Sequence, residues 1–124
     1  MANFKEKLPD QCPPTSAKDR AWETIYRTLR DKKPHPNHFL SKAALGEIAV
    51  FGTDPCRFAS CSLYTARNPA RKMMSYPKFA NGTVAELSIP KGSGESLKKK
   101  QHVDFWAYQG FDFLSSIVRC NDAP

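Results

Sequence analysis

The sequence lacks the apolar segments that would direct a chain into or across a membrane. Its longest mainly apolar stretch, Ala43 to Phe51, is far shorter than the roughly 20 residues of a membrane-spanning helix. The N-terminus carries Lys5, Glu6 and Lys7 and then Pro9, without the apolar core and cleavage site of a signal peptide. These absences predict a cytoplasmic protein with no membrane partner.

Several enzyme motifs are also absent. The chain has no internal repeat, no phosphate-binding P-loop, no dinucleotide fingerprint, no Gly-x-Ser-x-Gly nucleophile and no EF-hand or metalloprotease motif. Its seven Asp and five Glu are scattered, unlike the paired carboxylates of a glycosidase. The sequence therefore argues against nucleotide-dependent, serine-hydrolase and glycosidase chemistry.

The length and composition describe one small folded unit. The chain has 124 residues, of which 40% are hydrophobic and 25% charged. A chain of this size buries about two-thirds of its unfolded surface on folding, which suffices for a core. Residues 1–14, with three prolines, predict a flexible lead-in, and residues 15–124 predict a single globular domain.

The chain has four cysteines, a number that would indicate disulfides in a secreted protein, and they are Cys12, Cys56, Cys61 and Cys120. Without an export signal we predict thiols rather than disulfides. His35 and His38, followed by Cys56 and Cys61, form a candidate set of four zinc ligands. The order is inverted relative to the common zinc finger, and both histidines lie near Pro34 and Pro36. We therefore favour a chain without a cofactor, in which these are loop histidines and ordinary thiols.

The first regular element is predicted to be an amphipathic helix from Ala17 to Arg30. Ser16 and Asp19 stand where a helix-capping box requires them. The apolar residues that follow recur at helical spacing and are Trp22, Ile25, Tyr26 and Leu29. Prolines at 34 and 36 end the element.

The middle of the chain leaves helix and strand open. Residues 41–51 fit a short helix, with a strand from Glu47 to Phe51 as the alternative, and Phe58 to Ala66 has the same ambiguity, in which we favour helix. Asn68 and Pro69 predict a short helix from Pro69 to Ser75.

The later segments favour strands. Alternating apolar and polar residues predict strands over Thr83–Ile89 and His102–Tyr108, joined by a polar loop. Asp112 can begin a final helix, with a third strand as the alternative. Helices first and strands late predict an α+β domain with one or two further short helices and a small antiparallel sheet.

The excess of 19 Lys and Arg over 12 Asp and Glu is unevenly distributed. No acidic residue lies between Asp54 and Glu86. Basic residues and tyrosines alternate there, and a lysine run follows, so the candidate nucleic-acid contacts are Arg57, Arg67, Arg71, Lys72, Lys78, Tyr64, Tyr76, Lys98, Lys99 and Lys100. Cationic side chains neutralise phosphates and aromatic rings stack on unpaired bases, so this pattern is typical of a surface for single-stranded nucleic acid. An ordinary basic surface with its aromatic rings turned inward is the alternative.

His102 and Asp104 are the candidate catalytic pair. On the predicted strand they share a face with Trp106 and Tyr108, because alternate side chains point the same way. Metal-independent cleavage of RNA needs a general acid or base such as His and a cation that stabilises the charged transition state. The alternative is a solvated strand end beside two rings that cover a second apolar layer.

Three functions follow from these patterns. The first is binding of single-stranded RNA or DNA by the Arg and Lys patches, extended to metal-independent endoribonuclease activity. The second is a protein-interaction module, an inhibitor or accessory protein, whose basic face binds an acidic protein partner. The third is a small enzyme that acts on a phosphorylated metabolite.

Overall fold

A six-stranded antiparallel sheet organises residues 3–121, the part of the chain that the computed structural model describes. The strands are β1 (Trp22–Leu29), β2 (Cys61–Tyr64), β3 (Thr83–Ile89), β4 (Gly94–Lys99), β5 (His102–Ala107) and β6 (Ile117–Asn121). Their order across the sheet is β4-β5-β2-β1-β3-β6, so β2 and β5, which are distant in sequence, are neighbours near its middle.

Helical structure is limited. Within residues 3–121 it consists of α1 (Pro55–Phe58), α2 (Arg67–Lys72) and the 3-10 turns Pro36–Phe39, Met73–Ser75, Pro77–Phe79 and Leu114–Ser116. None of these helices has the length and apolar character that crossing a bilayer would require. The predicted α+β class with an N-terminal helix is therefore wrong, because the described part of the chain is mainly β.

The segment predicted as the N-terminal helix forms β1. A β-bulge explains the error, because Trp22 pairs with Ile89 and Ile25 pairs with Leu87, so β1 has one residue more than β3 between the two pairs. The extra residue places Trp22 and Ile25 on the same face at a spacing of three. Tyr26 lies on the other face. Because β1 is covered on both faces, the spacing of its apolar residues along the sequence resembles that of a helix.

Two of the predicted strands are present, and two segments predicted otherwise also form strands. The strands predicted over Thr83–Ile89 and His102–Tyr108 are present, the second ending at Ala107, and the segment 58–66 contains β2 rather than the favoured helix. The polar loop before His102 holds β4, in which a Cβ at Gly94 would meet the carbonyl oxygen of Trp106. Glycine therefore allows close strand pairing within the segment that was predicted as a loop.

The hydrophobic core covers one face of the sheet. Alternate residues of the strands supply it, joined by stacked Phe39 and Phe113, whose ring centroids are 4.7 Å apart. Its buried members are Trp22, Ile25, Leu29, Phe39, Cys61, Leu63, Ala85, Leu87, Ile89, Val103, Phe105 and Phe113. On the opposite face α2 packs over β1, where the Thr28 hydroxyl donates to the Ala70 carbonyl at 2.6 Å.

The N-terminal segment lies against the sheet. The Lys5 amide donates to the Ala107 carbonyl at 2.8 Å, and the Glu6 carboxylate accepts hydrogen bonds from the Ser41 amide and hydroxyl. Cys12 and Cys56 form a disulfide, so the prediction of thiols is wrong for these two residues. The flexibility of residues 1–14 stays a prediction, but part of this segment is covalently tied to α1.

Candidate functional site

The face of the sheet opposite the core carries a cleft over β2 and β5. A cavity of about 210 Å³ and an adjoining open depression of about 430 Å³ share the side chains of Lys42, Ser60, Ser62 and His102. Arg27 lines the cavity and Arg57 the depression. We call these six residues and the space between them the His102 cleft. The carboxylates of Glu47, Asp54 and Asp104 and several apolar side chains also line this space.

Strand pairing builds the centre of the cleft. β2 and β5 pair antiparallel, with Ser62 opposite Asp104 and Tyr64 opposite His102. Because alternate residues point to the same face, these four side chains lie together while Cys61, opposite Phe105, faces the core. The predicted catalytic pair is thereby placed beside a hydroxyl and a phenol.

Asp104 is buried, and each of its carboxylate oxygens has a hydrogen-bond partner. Its side chain is 5% exposed, and its Oδ2 lies 3.0 Å from Arg57 Nε, while the Ser60 hydroxyl donates to its Oδ1 at 2.9 Å. Arg57 belongs to α1, whose first turn is capped by the Asp54 carboxylate accepting the Cys56 amide hydrogen. A buried carboxylate requires such partners, so α1 and Asp104 hold each other in place.

His102 is half-buried beside this carboxylate. Its Nδ1 lies 3.7 Å from Asp104 Oδ1, too far for a hydrogen bond, and this buried nitrogen has no hydrogen-bond partner among residues 3–121. Tyr64 packs edge-on against its ring, with centroids 5.5 Å apart. Since the side chain is 27% exposed and Nδ1 is buried, the exposed part is the rest of the ring.

The surroundings lower the pKa of His102 below its ordinary value of 6.5. Burial is the main cause, because it penalises the charged imidazolium, and the positive charges of Arg57, Arg27 and Lys42 add to the effect. The carboxylate of Asp104 acts in the opposite direction without reversing it. His102 is consequently neutral at pH 7, the form that accepts a proton.

Arg27 forms hydrogen bonds where β1 and β2 are no longer paired. The only paired position of β1 and β2 within the described range is Tyr26 with Tyr64. Beyond it, the Arg27 guanidinium donates to the carbonyls of Ser62 at 2.8 Å and His38 at 2.9 Å. No carboxylate of residues 3–121 forms an ion pair with it, so its charge acts on the cleft unneutralised.

Lys42 supplies an exposed positive charge. Its side chain is exposed and lines both parts of the cleft, and its ammonium forms no hydrogen bond or ion pair with residues 3–121. Sequence analysis missed Lys42, Arg27, Ser60 and Ser62. The first two lie outside the acid-free run, and the serines carry no sequence signal for a site, so only the long-range strand pairing shows their position.

The predicted nucleic-acid contacts separate into groups. Arg57 and Tyr64 lie in the cleft, and Lys78 lines its cavity with its Nζ 3.9 Å from Glu47 Oε2. Arg67 lines neither part of the cleft, and its guanidinium lies over the ring of Tyr26, 3.6 Å from Glu86 Oε1. The remaining candidates lie on α2, beside it or at the end of the β4–β5 hairpin, and are Arg71, Lys72, Tyr76, Lys98, Lys99 and Lys100.

The candidate zinc ligands are not brought together. Cys56 is in the disulfide, Cys61 is buried in the core, and the His38 ring bonds Asp31 at 3.2 Å. Burial raises the pKa of the Cys61 thiol, which keeps it protonated and unsuited to metal binding. Residues 3–121 contain no cluster of three or more His, Cys, Asp or Glu side chains that could hold a metal ion.

Comparison with known proteins adds no assignment to this geometry. No protein-family model, curated protein or solved structure matches the chain.

Proposed function

We propose that the His102 cleft binds the phosphate backbone of single-stranded nucleic acid and that His102 cleaves RNA without a metal ion. One observation carries the proposal. A neutral, half-buried imidazole shares one cleft with the cations Arg27 and Lys42 and with Arg57. A base beside several positive charges is what cleavage of a phosphodiester requires.

Lys42 and Arg27 supply the charge for binding. Arg57 is partly neutralised by Asp104, whereas the other two cations have no carboxylate partner among the described residues. Phosphate groups displace the small ions around such charges, which makes the affinity depend steeply on salt. The same charges would stabilise the additional negative charge that forms at phosphorus during cleavage.

His102 is the general base of the proposed reaction. A proton on Nδ1 would face the Asp104 carboxylate 3.7 Å away and leave the Nε2 lone pair to accept a proton. Nε2 takes the proton of the ribose 2′-hydroxyl, the 2′-oxygen forms a bond to phosphorus, and the bond to the 5′-oxygen breaks. The departing oxygen takes a proton from solvent, to which the imidazolium returns its own. The products are a cyclic 2′,3′-phosphate and a free 5′-hydroxyl.

The shape of the cleft favours a polymer over a small metabolite. The cavity of about 210 Å³ shares four lining residues with the adjoining depression of about 430 Å³. The depression that continues from it is broad and open. An extended strand can enter the cavity with one nucleotide and leave along the depression, so we rank the phosphorylated-metabolite enzyme and the acidic protein partner below this function.

The disulfide between Cys12 and Cys56 bears on the cellular compartment in which the protein would act. The cytoplasmic location predicted from the N-terminus stays a prediction. The Cys12–Cys56 disulfide favours an oxidising compartment instead, because cytosolic reductants keep most thiols reduced.

Salt dependence tests the binding. If about three phosphates contact Arg27, Lys42 and Arg57, affinity for a single strand should fall about 20-fold between 50 and 200 mM salt. Fluorescence anisotropy with single-stranded DNA, which lacks the 2′-hydroxyl and stays intact, measures it. Lys42→Gln should lower the slope of log affinity against log salt by about 0.7.

Lys91→Gln is the matched control, since Lys91 is exposed and lines neither part of the cleft. Equal slopes for the wild type and Lys42→Gln would show that the strand binds elsewhere.

A further inference from the structure

An apolar loop tip projects beside the His102 cleft. Ile48, Val50 and Phe51 have exposed fractions of 94%, 77% and 106%, so the described part of the chain leaves them in solvent. Such runs of large exposed apolar side chains are unusual in folded proteins and mark interaction sites. The tip is therefore a candidate site for a ligand that would cover these side chains.

The base of this loop is fixed in place. The Glu47 amide donates to the Lys42 carbonyl at 3.0 Å, and the Glu47 carboxylate lies 3.9 Å from Lys78 Nζ. Gly46 and Gly52 have φ values of +76° and +88°, a conformation that glycine adopts readily, and they bound the tip on either side. These contacts fix the base of the loop, and the tip extends from it into solvent.

The tip adjoins the proposed phosphate contacts directly. Gly52 and Thr53 line the open depression together with Lys42, Arg57 and His102. Phe51 immediately precedes Gly52, so its Cα is about 3.8 Å from the Cα of a residue in the cleft wall. Phe51 is thus an exposed aromatic residue next in sequence to the wall of the cleft.

We propose that Phe51 is a platform on which an unpaired base stacks when the neighbouring phosphate occupies the cleft. This inference rests on the proposed function and names the contact that would distinguish a single strand from a duplex, whose bases are already stacked on each other. Cations beside an exposed aromatic ring are the combination that binds single strands without base-specific contacts. Ile48 and Val50 would cover the edge of the same base.

Anisotropy with three labelled DNA ligands tests this inference. They are an eight-nucleotide single strand, the same strand with abasic sites throughout, and the corresponding duplex. Phe51→Ala should weaken binding of the intact single strand about 5- to 150-fold, the range for loss of one stacked base. Phe51→Trp should restore it. The abasic strand should bind wild type and Phe51→Ala equally, and the duplex should bind wild type less tightly than the intact strand.

Val118→Ala is the matched control, because Val118 is 50% exposed on β6 and lines neither part of the cleft. It should bind the single strand as the wild type does. Phe51 is fully exposed, so its replacement leaves the core intact. Wild-type binding that Phe51→Ala does not weaken would overturn this inference alone and leave the tip to a protein partner. No binding of any strand by the wild type would overturn the proposed function as well.

Discussion

His102→Ala should lower the rate of RNA cleavage about 10²- to 10⁴-fold, the usual contribution of a general base. The physical reason is that no other imidazole can replace it in the cleft. The His38 ring lines the cavity but is buried, bonded to Asp31 and accepting the His35 amide hydrogen at its Nδ1. Cleavage of a labelled single-stranded RNA in excess chelator measures the rate, and a strand with 2′-deoxyribose at each position should stay intact.

The pH dependence of this activity follows from the lowered pKa of His102. Because the base must be neutral, kcat/KM should rise with pH and then level off. The midpoint of the rise should lie below 6.5, since the pKa of His102 is lowered. His35→Ala is the control, since His35 is exposed and lies outside the cleft. Unchanged cleavage by His102→Ala, or a midpoint above 6.5, would remove His102 from the reaction.

Replacing both Cys12 and Cys56 by serine should lower the free energy of unfolding by about 2–4 kcal/mol. The disulfide joins residues 44 positions apart, so it restricts a long loop of the unfolded chain. It also holds α1, in which the Cys56 carbonyl accepts the Trp106 indole hydrogen at 3.0 Å and Arg57 contacts Asp104. Urea unfolding followed by tryptophan fluorescence measures the change.

Reductant provides the companion measurement for the disulfide. Dithiothreitol should destabilise the wild type by the same amount and leave the double variant unaffected. Cys120→Ser, which replaces a thiol outside the disulfide, should respond to reductant as the wild type does. A wild-type stability that is the same with and without reductant would show that the bridge is absent or contributes nothing.

Two strands were predictable because their side chains follow a simple period of two. In β3, Ala85, Leu87 and Ile89 are buried and Ser88 is exposed. In β5, Val103 and Phe105 face the core. Apolar and polar residues alternate over most of each strand, so the local sequence suffices even though Val84 and Trp106 are buried on the opposite faces.

β1 was not predictable in the same way. Its bulge inserts one residue, and α2 covers its second face through Thr28 and Ala70, so buried residues occur on both sides. The resulting spacing of Trp22, Ile25 and Leu29 matches a helix as well as a strand. Only the pairing with β3, about 60 residues later in the chain, resolves the ambiguity.

The candidate site was predictable in part. Alternation along β5 placed His102 and Asp104 together, and the acid-free run included Arg57. Lys42 and Arg27 belong to distant segments, and their approach depends on how the chain folds over β2. The disulfide was missed because the interpretation of Cys12 and Cys56 depended on the N-terminus rather than on their proximity.

The most direct test of the account is the titration of His102 by NMR, with and without saturating single-stranded DNA. The ring signal that disappears in His102→Ala identifies the residue. In the free protein its midpoint should lie below 6.5 because of burial and the three neighbouring cations. A phosphate bound in the cleft stabilises the imidazolium, so the midpoint should rise on binding, and by less in Lys42→Gln. A midpoint that stays the same at saturation would contradict the claim that the cleft holds the phosphate backbone.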